Sequence, residues 1–243
     1  MDGAAIVDIE ALGEQAVLLR WADRVDPAVN RQVHAAAARL RADAPTWLRD
    51  VVPAYASLAV FFDDAAVAVE AVHAFIGARL EAGVDDSGHA ADTTRLVEVP
   101  VRYGGEHGPD LDAVATHCGF APERVVAMHA AGDYTVAMLG FSPGFPYLLG
   151  LDPALATPRL ATPRLRVPAG SIGIGGAQTG VYPDAGPGGW QLLGRTPLVL
   201  FDPLRDPPSL LQPGDRVRYV PIDAARFDAL QAASPGPRAE PAS

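Results

Sequence analysis

Hydrophobic and polar positions in the first third of the chain follow two different periods. An alternation of period two, typical of strands, marks four segments: residues 6–9, 15–21, 47–53 and 57–62. Apolar positions three and four apart, typical of a helix with one buried face, mark residues 27–42 and 65–80. This order of strands and helices predicts a two-layer α+β domain over residues 1–84, with both helices on one face of a largely antiparallel sheet.

Acidic side chains mark the predicted start of each helix. Asp26 precedes Pro27, and this pair suits the N-cap and the first helical position. Asp63 and Asp64 precede the second helical pattern and are expected to cap a helix that begins at residue 65. Both helices are therefore expected to start where the local sequence provides a cap.

The pattern changes in the second part of the chain. Residues 83–94 are small and polar, which predicts a linker between two domains. Short apolar segments then alternate with glycine and proline, which predicts a mainly-β domain over residues 94–230 that closes into a barrel. Its predicted strands include residues 95–103, 134–141, 196–202 and 216–222. The chain is expected to finish with a short helix from residue 224 and a disordered tail over residues 231–243.

A glycine- and proline-rich block, residues 140–197, occupies the centre of the second domain. Apolar and aromatic side chains recur between the glycines and prolines, which a solvated linker would not need. The block is therefore predicted to form short strands and tight loops. Glycine is expected where two backbones approach closely or where φ is positive.

The charge of this block differs from that of the whole chain. The chain has a formal net charge of −10. The block has two acids and four basic residues, namely Asp152 and Asp184 against Arg159, Arg164, Arg166 and Arg195. Because guanidinium groups bind carboxylates and phosphates through paired hydrogen bonds, the block predicts an anion-binding wall. The alternative is that these arginines cap carbonyl groups and pair with acids elsewhere in the fold.

Composition excludes several classes of function. The net acidity and a pI near 4.9 argue against a nucleic-acid partner. No apolar run is long enough to span a membrane, and the first residues lack the pattern of a secretory signal, so we expect a cytoplasmic protein with no membrane partner. All nineteen basic residues are arginine. This excludes chemistry through a lysine of this chain, such as a Schiff base or a P-loop lysine.

Cys118 is the only cysteine of the chain. A single thiol excludes an intrachain disulfide and a thiolate-rich zinc site, and we predict no metal site. Cys118 falls on the apolar face of a predicted helix, which favours a buried, inert thiol over a nucleophile.

Motifs along the whole chain resemble one known family. The most specific are GFSPGFPYL from Gly140, VPAGSIGIGG from Val167, GVYP from Gly180 and PGGWQLLGRTP from Pro187. Together with two Pro-Arg steps at residues 158–159 and 163–164, they are similar in order and spacing to the family of B-type subunits of ATP-dependent 5-oxoprolinase. The same family includes allophanate hydrolase subunit 1 and a sporulation-kinase inhibitor. The resemblance implies a cyclophilin-like barrel after a smaller N-terminal domain.

The resemblance also implies an enzyme that works as part of a complex. The implied reaction is the ATP-dependent activation and hydrolytic opening of 5-oxoproline to L-glutamate, with ATP bound together with partner subunits. The implied partners are a biotin-dependent carboxyltransferase-like companion subunit, a third oxoprolinase subunit and a small acid as substrate. Two other functions within the family stay open: a regulatory module that inhibits a sensor histidine kinase, and one component of an allophanate- or urea-type amidohydrolase complex.

Two candidate catalytic residues lie outside the glycine- and proline-rich block. His129 follows Val125 and Val126 by four and three residues, so the helical period alone favours a core histidine. A matching histidine in the family implies instead a site residue that transfers protons. Glu106 and Asp110 form a second candidate pair. Because Asp110 is expected to cap the helix that follows it, we assign Glu106 to the catalytic set.

Arg164 completes the predicted catalytic set. It shares a face with Arg166 if both lie on one strand, whereas Arg159 could reach the same site only if the chain turns between the two Pro-Arg steps. Positions that match the family imply these substrate-binding residues: Arg159, Gln178, Tyr182, Trp190 and Arg195. Trp190 could equally fill the core. PAGSIGIGG resembles a phosphate loop but lacks its lysine and its helix, and Ser171 within it lacks the surroundings of a nucleophile elbow.

Overall fold

The computed structural model describes residues 8–81 and 95–233. The chain divides into two compact units, residues 1–94 and 95–243. The predicted linker at residues 83–94 lies outside the described residues, as does the part of the predicted tail at residues 234–243. Within the described ranges, no helix is long and apolar enough to cross a membrane.

The first unit is a four-stranded antiparallel sheet that packs against two helices. Its elements are β1 (Asp8–Ala11), β2 (Ala16–Arg20), α1 (Pro27–Arg41), β3 (Leu48–Pro53), β4 (Ser57–Phe62) and α2 (Val69–Glu81). The strand order in the sheet is β1-β2-β4-β3. The predicted sequence of strands and helices is confirmed.

Alternate side chains of the sheet and one stripe of each helix share the core of this unit. Val17 and Leu19 of β2 are completely buried, as are Leu58 and Val60 of β4. They belong to one hydrophobic cluster with apolar residues of both helices, including Val33, Leu40, Val72 and Ile76. The two periods in the sequence therefore meet in one core between two layers.

Asp26 caps α1 as the sequence predicts. Its carboxylate accepts hydrogen bonds from the backbone N–H groups of Ala28 (2.8 Å) and Val29 (3.4 Å), and these bonds lower the pKa of Asp26. The predicted start of α2 is wrong. Asp63 accepts a hydrogen bond from the N–H of Ala65, but this bond belongs to a separate turn, and α2 begins only at Val69.

The second unit is built on a closed barrel. Its elements in chain order are β5 (Leu96–Tyr103), α3 (Leu111–Cys118), α4 (Pro122–Ala130), β6 (Tyr134–Leu139), β7 (Pro146–Leu149), β8 (Arg164–Val167), β9 (Ser171–Gly175), β10 (Gln178–Val181), β11 (Gly186–Gly188), β12 (Gln191–Arg195), β13 (Arg216–Pro221) and α5 (Ala224–Ala233). The barrel has the strand order β10-β7-β6-β13-β5-β12-β9, and β8 pairs with β11 in a separate sheet. Strands β5 and β13 are parallel. The prediction of a closed barrel is confirmed.

The structure corrects two details of this unit. Residues 196–202, predicted as a strand, form a loop with one antiparallel bridge from Phe201 to Ser209. The flanking Pro197 and Pro203 have no N–H to donate to a strand ladder, which limits pairing there. Helix α5 extends to Ala233, three residues into the segment predicted as tail, because its last residues are good helix formers.

Glycines of the barrel make room for groups that pack directly on strand backbone. A Cβ atom at Gly175 in β9 would lie 2.5 Å from the indole nitrogen of Trp190. A Cβ atom at Gly108 would lie 1.9 Å from the carbonyl oxygen of Leu193. Every residue of β9 is buried. PAGSIGIGG is therefore a barrel strand whose glycines accept close neighbours, and it does not form a phosphate-binding loop before a helix.

Candidate anion-binding site

A cleft of about 290 Å³ lies on the second unit. It is formed by the turn after β5, by β8, by the loop before β9 and by β12. Its lining residues are Glu106, His107, Pro109, Arg164, Arg166, Pro168, Ser171, Leu192 and Arg195. The cleft therefore gathers three arginines from two strands that belong to different sheets.

Arg164 is held in the cleft by Asp110. Its Nη2 atom donates to Asp110 Oδ1 (2.7 Å), while Asp110 Oδ2 accepts from the backbone N–H of Leu192 (2.6 Å). Asp110 is 8% exposed, so it acts as a nearly buried counter-charge for Arg164. The prediction that Asp110 caps α3 is wrong, because its carboxylate makes no hydrogen bond to the first turn of that helix.

Arg166 and Arg195 form no ion pair with a carboxylate of the described residues. Arg166 lies two positions after Arg164 on β8 and is exposed. No residue in the described ranges forms an ion pair or a hydrogen bond with its side chain. Arg195 donates through Nε to the carbonyl oxygen of Ala169 (2.7 Å), and no described acid pairs with it. The cleft thus presents two guanidinium groups that are available to an anion.

Ser171 is a third hydrogen-bonding group of the cleft. It is 1% exposed, and its hydroxyl has no hydrogen-bond partner among the described residues. The hydroxyl oxygen is not among the buried atoms that lack a partner, so it is accessible from the cleft, where a water molecule or a ligand can bond to it. The sequence pattern assigned no function to Ser171, because the surroundings of a nucleophile elbow are absent.

Glu106 and His107 lie at the exposed rim of the cleft. The side chain of Glu106 is 89% exposed, and its Oε1 atom is 3.9 Å from His107 Nε2. The ring of His107 packs on Phe227 of α5 with centroids 4.5 Å apart. No set of three histidine, cysteine, aspartate or glutamate side chains in the described ranges could share a metal ion.

Tyr182 and Trp190 lie in an aromatic cluster next to the cleft, with Phe145 and Tyr147. Trp190 is 5% exposed, and its ring makes an edge contact with Phe145 at a centroid distance of 5.5 Å. Burial raises the pKa of Tyr182. Leu192 belongs to the same hydrophobic cluster and also lines the cleft. Tyr182 and Trp190 therefore pack the core beside the cleft and are not among its lining residues.

Arg159 lies over the aromatic cluster. Its guanidinium carbon is 5.8 Å from the centroid of the Trp190 ring, which is a cation–π geometry. Arg159 is not among the residues that line the cleft, and neither is Gln178, which pairs with Gly175 between β10 and β9. The chain does bend at residues 161–162, between the two Pro-Arg steps, but Arg159 does not line the cleft that Arg164 lines.

His129 lies in the interior of the second unit with no exposed surface. Its Nε2 atom is 3.1 Å from Thr179 Oγ1, and Thr179 Oγ1 in turn donates to the carbonyl oxygen of Gly173 (2.9 Å). Thr179 must therefore accept the proton of Nε2, which leaves Nδ1 as the acceptor of the Tyr103 hydroxyl (2.8 Å). The ring also stacks on Tyr219 at 4.7 Å.

This environment fixes His129 as a neutral imidazole. Complete burial lowers the pKa of His129 to about 3, because the interior disfavours the charged ring. His129 does not line the cleft. In this position it joins α4 to the strands of the barrel, as the helical period alone predicts.

The structure thus brings together some of the predicted site residues and separates others. Glu106, Arg164 and Arg195 line one cleft. The other predicted residues do not line it: His129, Arg159, Gln178, Tyr182 and Trp190. His107, Asp110 and Ser171 were not assigned to the site from the sequence, and Arg166 was named only as part of the predicted anion-binding wall. For Arg166 a clue was present, since it shares a strand face with Arg164.

Known proteins resemble this chain over most of its length. The family model for the carboxyltransferase domain, subdomain C and D, matches residues 7–211. The B-type 5-oxoprolinase subunit of Bacillus subtilis (strain 168) is 43% identical over 233 residues, which cover 92% of this chain and 96% of that protein. The B-type 5-oxoprolinase subunit of Escherichia coli O157:H7 is 47% identical over 211 residues, which cover 86% of this chain and 94% of that protein.

A solved structure supports the same relationship. The crystal structure of TTHA0988 superposes with a TM-score of 0.75 at 38% identity, over 86% of this chain. The matching region is 40% of the TTHA0988 chain, so the present chain corresponds to less than half of that protein. The predicted resemblance to the B-type subunits of 5-oxoprolinase is confirmed. The chain belongs to the carboxyltransferase-domain family, subdomain C and D.

Proposed function

We propose that this chain is the B-type subunit of a 5-oxoprolinase complex, which opens 5-oxoproline to L-glutamate with the hydrolysis of ATP. The observation that carries the proposal is the similarity to two proteins named as B-type subunits of 5-oxoprolinase, at 43% and 47% identity over 92% and 86% of this chain. The cleft adds a physical reason, because it places two unbalanced arginines where an acid can bind.

The arginine cleft is proposed to bind an anionic group of the substrate. Arg164 is already neutralised by Asp110, so Arg166 and Arg195 supply the charge. Guanidinium groups that are fixed before the reaction stabilise negative charge that develops on the substrate, without a reorganisation cost. Pro109, Pro168 and Leu192 provide the apolar part of the lining, as small-molecule sites commonly have.

Companion subunits are proposed to provide most of the contacts to ATP. The chain has no lysine, and its glycine-rich segment is the buried strand β9, so neither offers a phosphate loop. The proposed partners are a carboxyltransferase-like companion and a third oxoprolinase subunit. In TTHA0988 the matching region is part of a longer polypeptide, which supports a function that involves more than this chain.

Reconstitution tests the proposed function. The full chain is purified with its companion and third subunit, and ATP hydrolysis that depends on 5-oxoproline is measured. We expect activity only when this chain is present. Arg166→Ala should lower kcat/KM by about tenfold or more, because it removes a charge-assisted contact. Arg124→Ala is the matched control, since Arg124 is exposed on α4 and does not line the cleft, and its activity should equal that of the wild type.

Two results would contradict the proposed reaction, and a third would contradict the proposed need for partners. The first is 5-oxoproline-dependent ATP hydrolysis by the companion subunits at an equal rate without this chain, which would remove it from the reaction. The second is a stable complex that has no such activity but hydrolyses another amide-like acid, which would change the substrate. The third is turnover of 5-oxoproline by the isolated chain, which would agree with the proposed substrate but show that no partner is needed.

A further inference from the structure

We propose that the core of the second unit binds a single water molecule between the hydroxyl groups of Tyr219 on β13 and Thr179 on β10. The site lies among the hydroxyl groups that surround His129, and neither hydroxyl lines the arginine cleft. The inference therefore does not depend on the proposed reaction. It follows from where each hydroxyl proton of this cluster can be donated.

The hydroxyl of Tyr219 is the starting observation. Tyr219 is 1% exposed, and its hydroxyl is the buried side-chain polar group that has no hydrogen-bond partner among the described residues. Burial raises the pKa of Tyr219 well above its usual range, so the hydroxyl keeps its proton. A phenol proton that is removed from water without an acceptor destabilises the fold, so the interior is expected to supply an acceptor.

The neighbouring hydroxyl groups already donate their protons elsewhere. Tyr103 donates to His129 Nδ1 (2.8 Å), and Tyr134 donates to the carbonyl oxygen of His129 (2.8 Å). Thr179 donates to the carbonyl oxygen of Gly173 (2.9 Å) and accepts from His129 Nε2 (3.1 Å). Both ring nitrogens of the histidine are therefore occupied, and neither can accept the proton of Tyr219.

The oxygen of Thr179 still has an acceptor position. A hydroxyl oxygen has two lone pairs, and Thr179 uses one of them for His129 Nε2. Burial is the main influence on the pKa of Tyr219 and raises it, while the Thr179 hydroxyl lowers it, so Thr179 is near enough to act on Tyr219. The two hydroxyls do not form a direct hydrogen bond, however. A water molecule that accepts from Tyr219 and donates to Thr179 completes both groups.

The strand order explains why a bridging molecule is needed here. In the barrel, β7 and β6 separate β10 from β13 on the shorter way round. Backbone hydrogen bonds therefore do not link the strands that carry Thr179 and Tyr219. Thr179 also binds His129 of α4, so a water molecule at this position connects β13 to β10 and, through Thr179, to α4.

The surroundings of the site favour water over an ion. His129 is neutral because burial lowers its pKa to about 3, and burial also keeps Tyr103 protonated by raising its pKa. No group of three potential metal ligands was found in the part of the chain that the structure describes. An ion would lose its hydration here without gaining a counter-charge. A neutral molecule with two hydrogen-bond partners meets the requirement for a buried water.

Oxygen-17 magnetic relaxation dispersion tests the proposal, because it counts water molecules that stay bound longer than the protein takes to tumble. The full chain is compared with Tyr219→Phe, which keeps the ring and removes the hydroxyl. We expect the dispersion amplitude to fall by the contribution of one water molecule. A urea titration should show an unfolding equilibrium constant that is about fivefold larger in Tyr219→Phe, because a bridged hydrogen bond is lost.

Matched variants assign the water to its two partners. Tyr134→Phe also removes a buried phenol hydroxyl, but that hydroxyl donates directly to a carbonyl oxygen, so this variant should be less stable and keep the wild-type water count. Thr179→Ser retains the hydroxyl and should keep the bound water. Thr179→Val removes it and should lose the bound water. A wild-type crystal structure should show a density peak within about 3 Å of Tyr219 Oη.

Four results would overturn the proposal. Lower stability of Tyr219→Phe with an unchanged water count would mean that the hydroxyl bonds directly to the protein. A Tyr219→Phe variant that is more stable than the wild type would mean that the hydroxyl has no partner at all. An equal loss of bound water in Tyr134→Phe would mean that the core loosens generally and that Tyr219 holds no particular molecule. A well-ordered crystal structure without density beside Tyr219 Oη would exclude the site directly.

Discussion

Lowering the pH from 6.5 to 4 should reduce the free energy of unfolding of the second unit by about 3 kcal/mol through His129 alone. The pKa of this histidine is about 3 in the folded chain, compared with 6.5 for an unperturbed imidazole. Above pH 6.5 both states are neutral, and the full stability is present. As the pH falls below 6.5, His129 binds a proton in the unfolded state but stays neutral in the folded state. Stability is therefore lost at about 1.4 kcal/mol per pH unit until pH 3.

The measurement is a urea titration at several pH values, read by a brief hydrogen-exchange pulse on peptides from α4 and β6. His129→Gln removes the titrating group, so its unfolding free energy should depend less steeply on pH than that of the wild type. Carboxylates such as Asp215, which pairs with Arg95, are present in both the wild type and His129→Gln, so the difference between the two slopes reports on His129. His117→Gln, at an exposed position of α3, is the control and should keep the wild-type slope. Equal slopes in wild type and His129→Gln would show that His129 titrates normally when folded.

The same measurement bears on the predicted catalytic role of His129. A histidine that transfers protons near neutral pH needs a pKa close to the working pH. Burial lowers the pKa of His129, and the hydrogen bond that Nδ1 accepts from the Tyr103 hydroxyl requires an unprotonated nitrogen. The helical period predicted this core position, because residues four apart on a helix share a face and Val125 is buried. Family resemblance placed a histidine here without specifying what it contacts.

Local sequence was sufficient for most elements of the fold. The strand period and the helical period define the first unit, and Asp26 with Pro27 marks the start of α1. The density of glycine and proline predicted the closed barrel. Local pattern failed where proline limits pairing, as at residues 196–202, and where a carboxylate closes a turn before the helix proper, as at Asp63.

The site was predicted less completely, because its contacts join distant parts of the chain. A cluster of four arginines in an acidic chain is visible in the sequence, and three of them line one cleft. Whether an arginine of the cluster has a carboxylate partner depends on residues that are distant in the sequence. Asp110, for example, pairs with Arg164 and lies 54 residues before it. Likewise, Trp190 packs on Gly175 through the pairing of β12 with β9. Neither relationship follows from the spacing of residues along one strand.

Asp110→Ala should destabilise the second unit by about 3 kcal/mol. The substitution leaves the backbone N–H of Leu192, which is 2% exposed, without its acceptor. It also removes the counter-charge of Arg164, whose side chain is 29% exposed. Breaking a buried ion pair from one side typically costs about 3–5 kcal/mol, and the partial exposure of Arg164 lowers the expected value toward the bottom of this range. The measurement is the urea titration described for His129.

Asp110→Ser separates this role from the helix cap that the sequence predicts. Serine caps helices about as well as aspartate, so a capping role would leave the stability of Asp110→Ser close to the wild type. The ion-pair role requires a carboxylate that reaches both Arg164 and Leu192, so we expect Asp110→Ser to lose nearly as much stability as Asp110→Ala. If Asp110→Ser were as stable as the wild type, the function of Asp110 would be to cap the helix.

A double-mutant cycle measures the pair itself. Unfolding free energies are compared for the wild type, Asp110→Ala, Arg164→Ala and the double variant, and the coupling energy between the two side chains should be about 1–3 kcal/mol. A coupling energy near zero would mean that Asp110 does not hold Arg164 in place, and Arg164 would then count as a third guanidinium group available to an anion in the cleft.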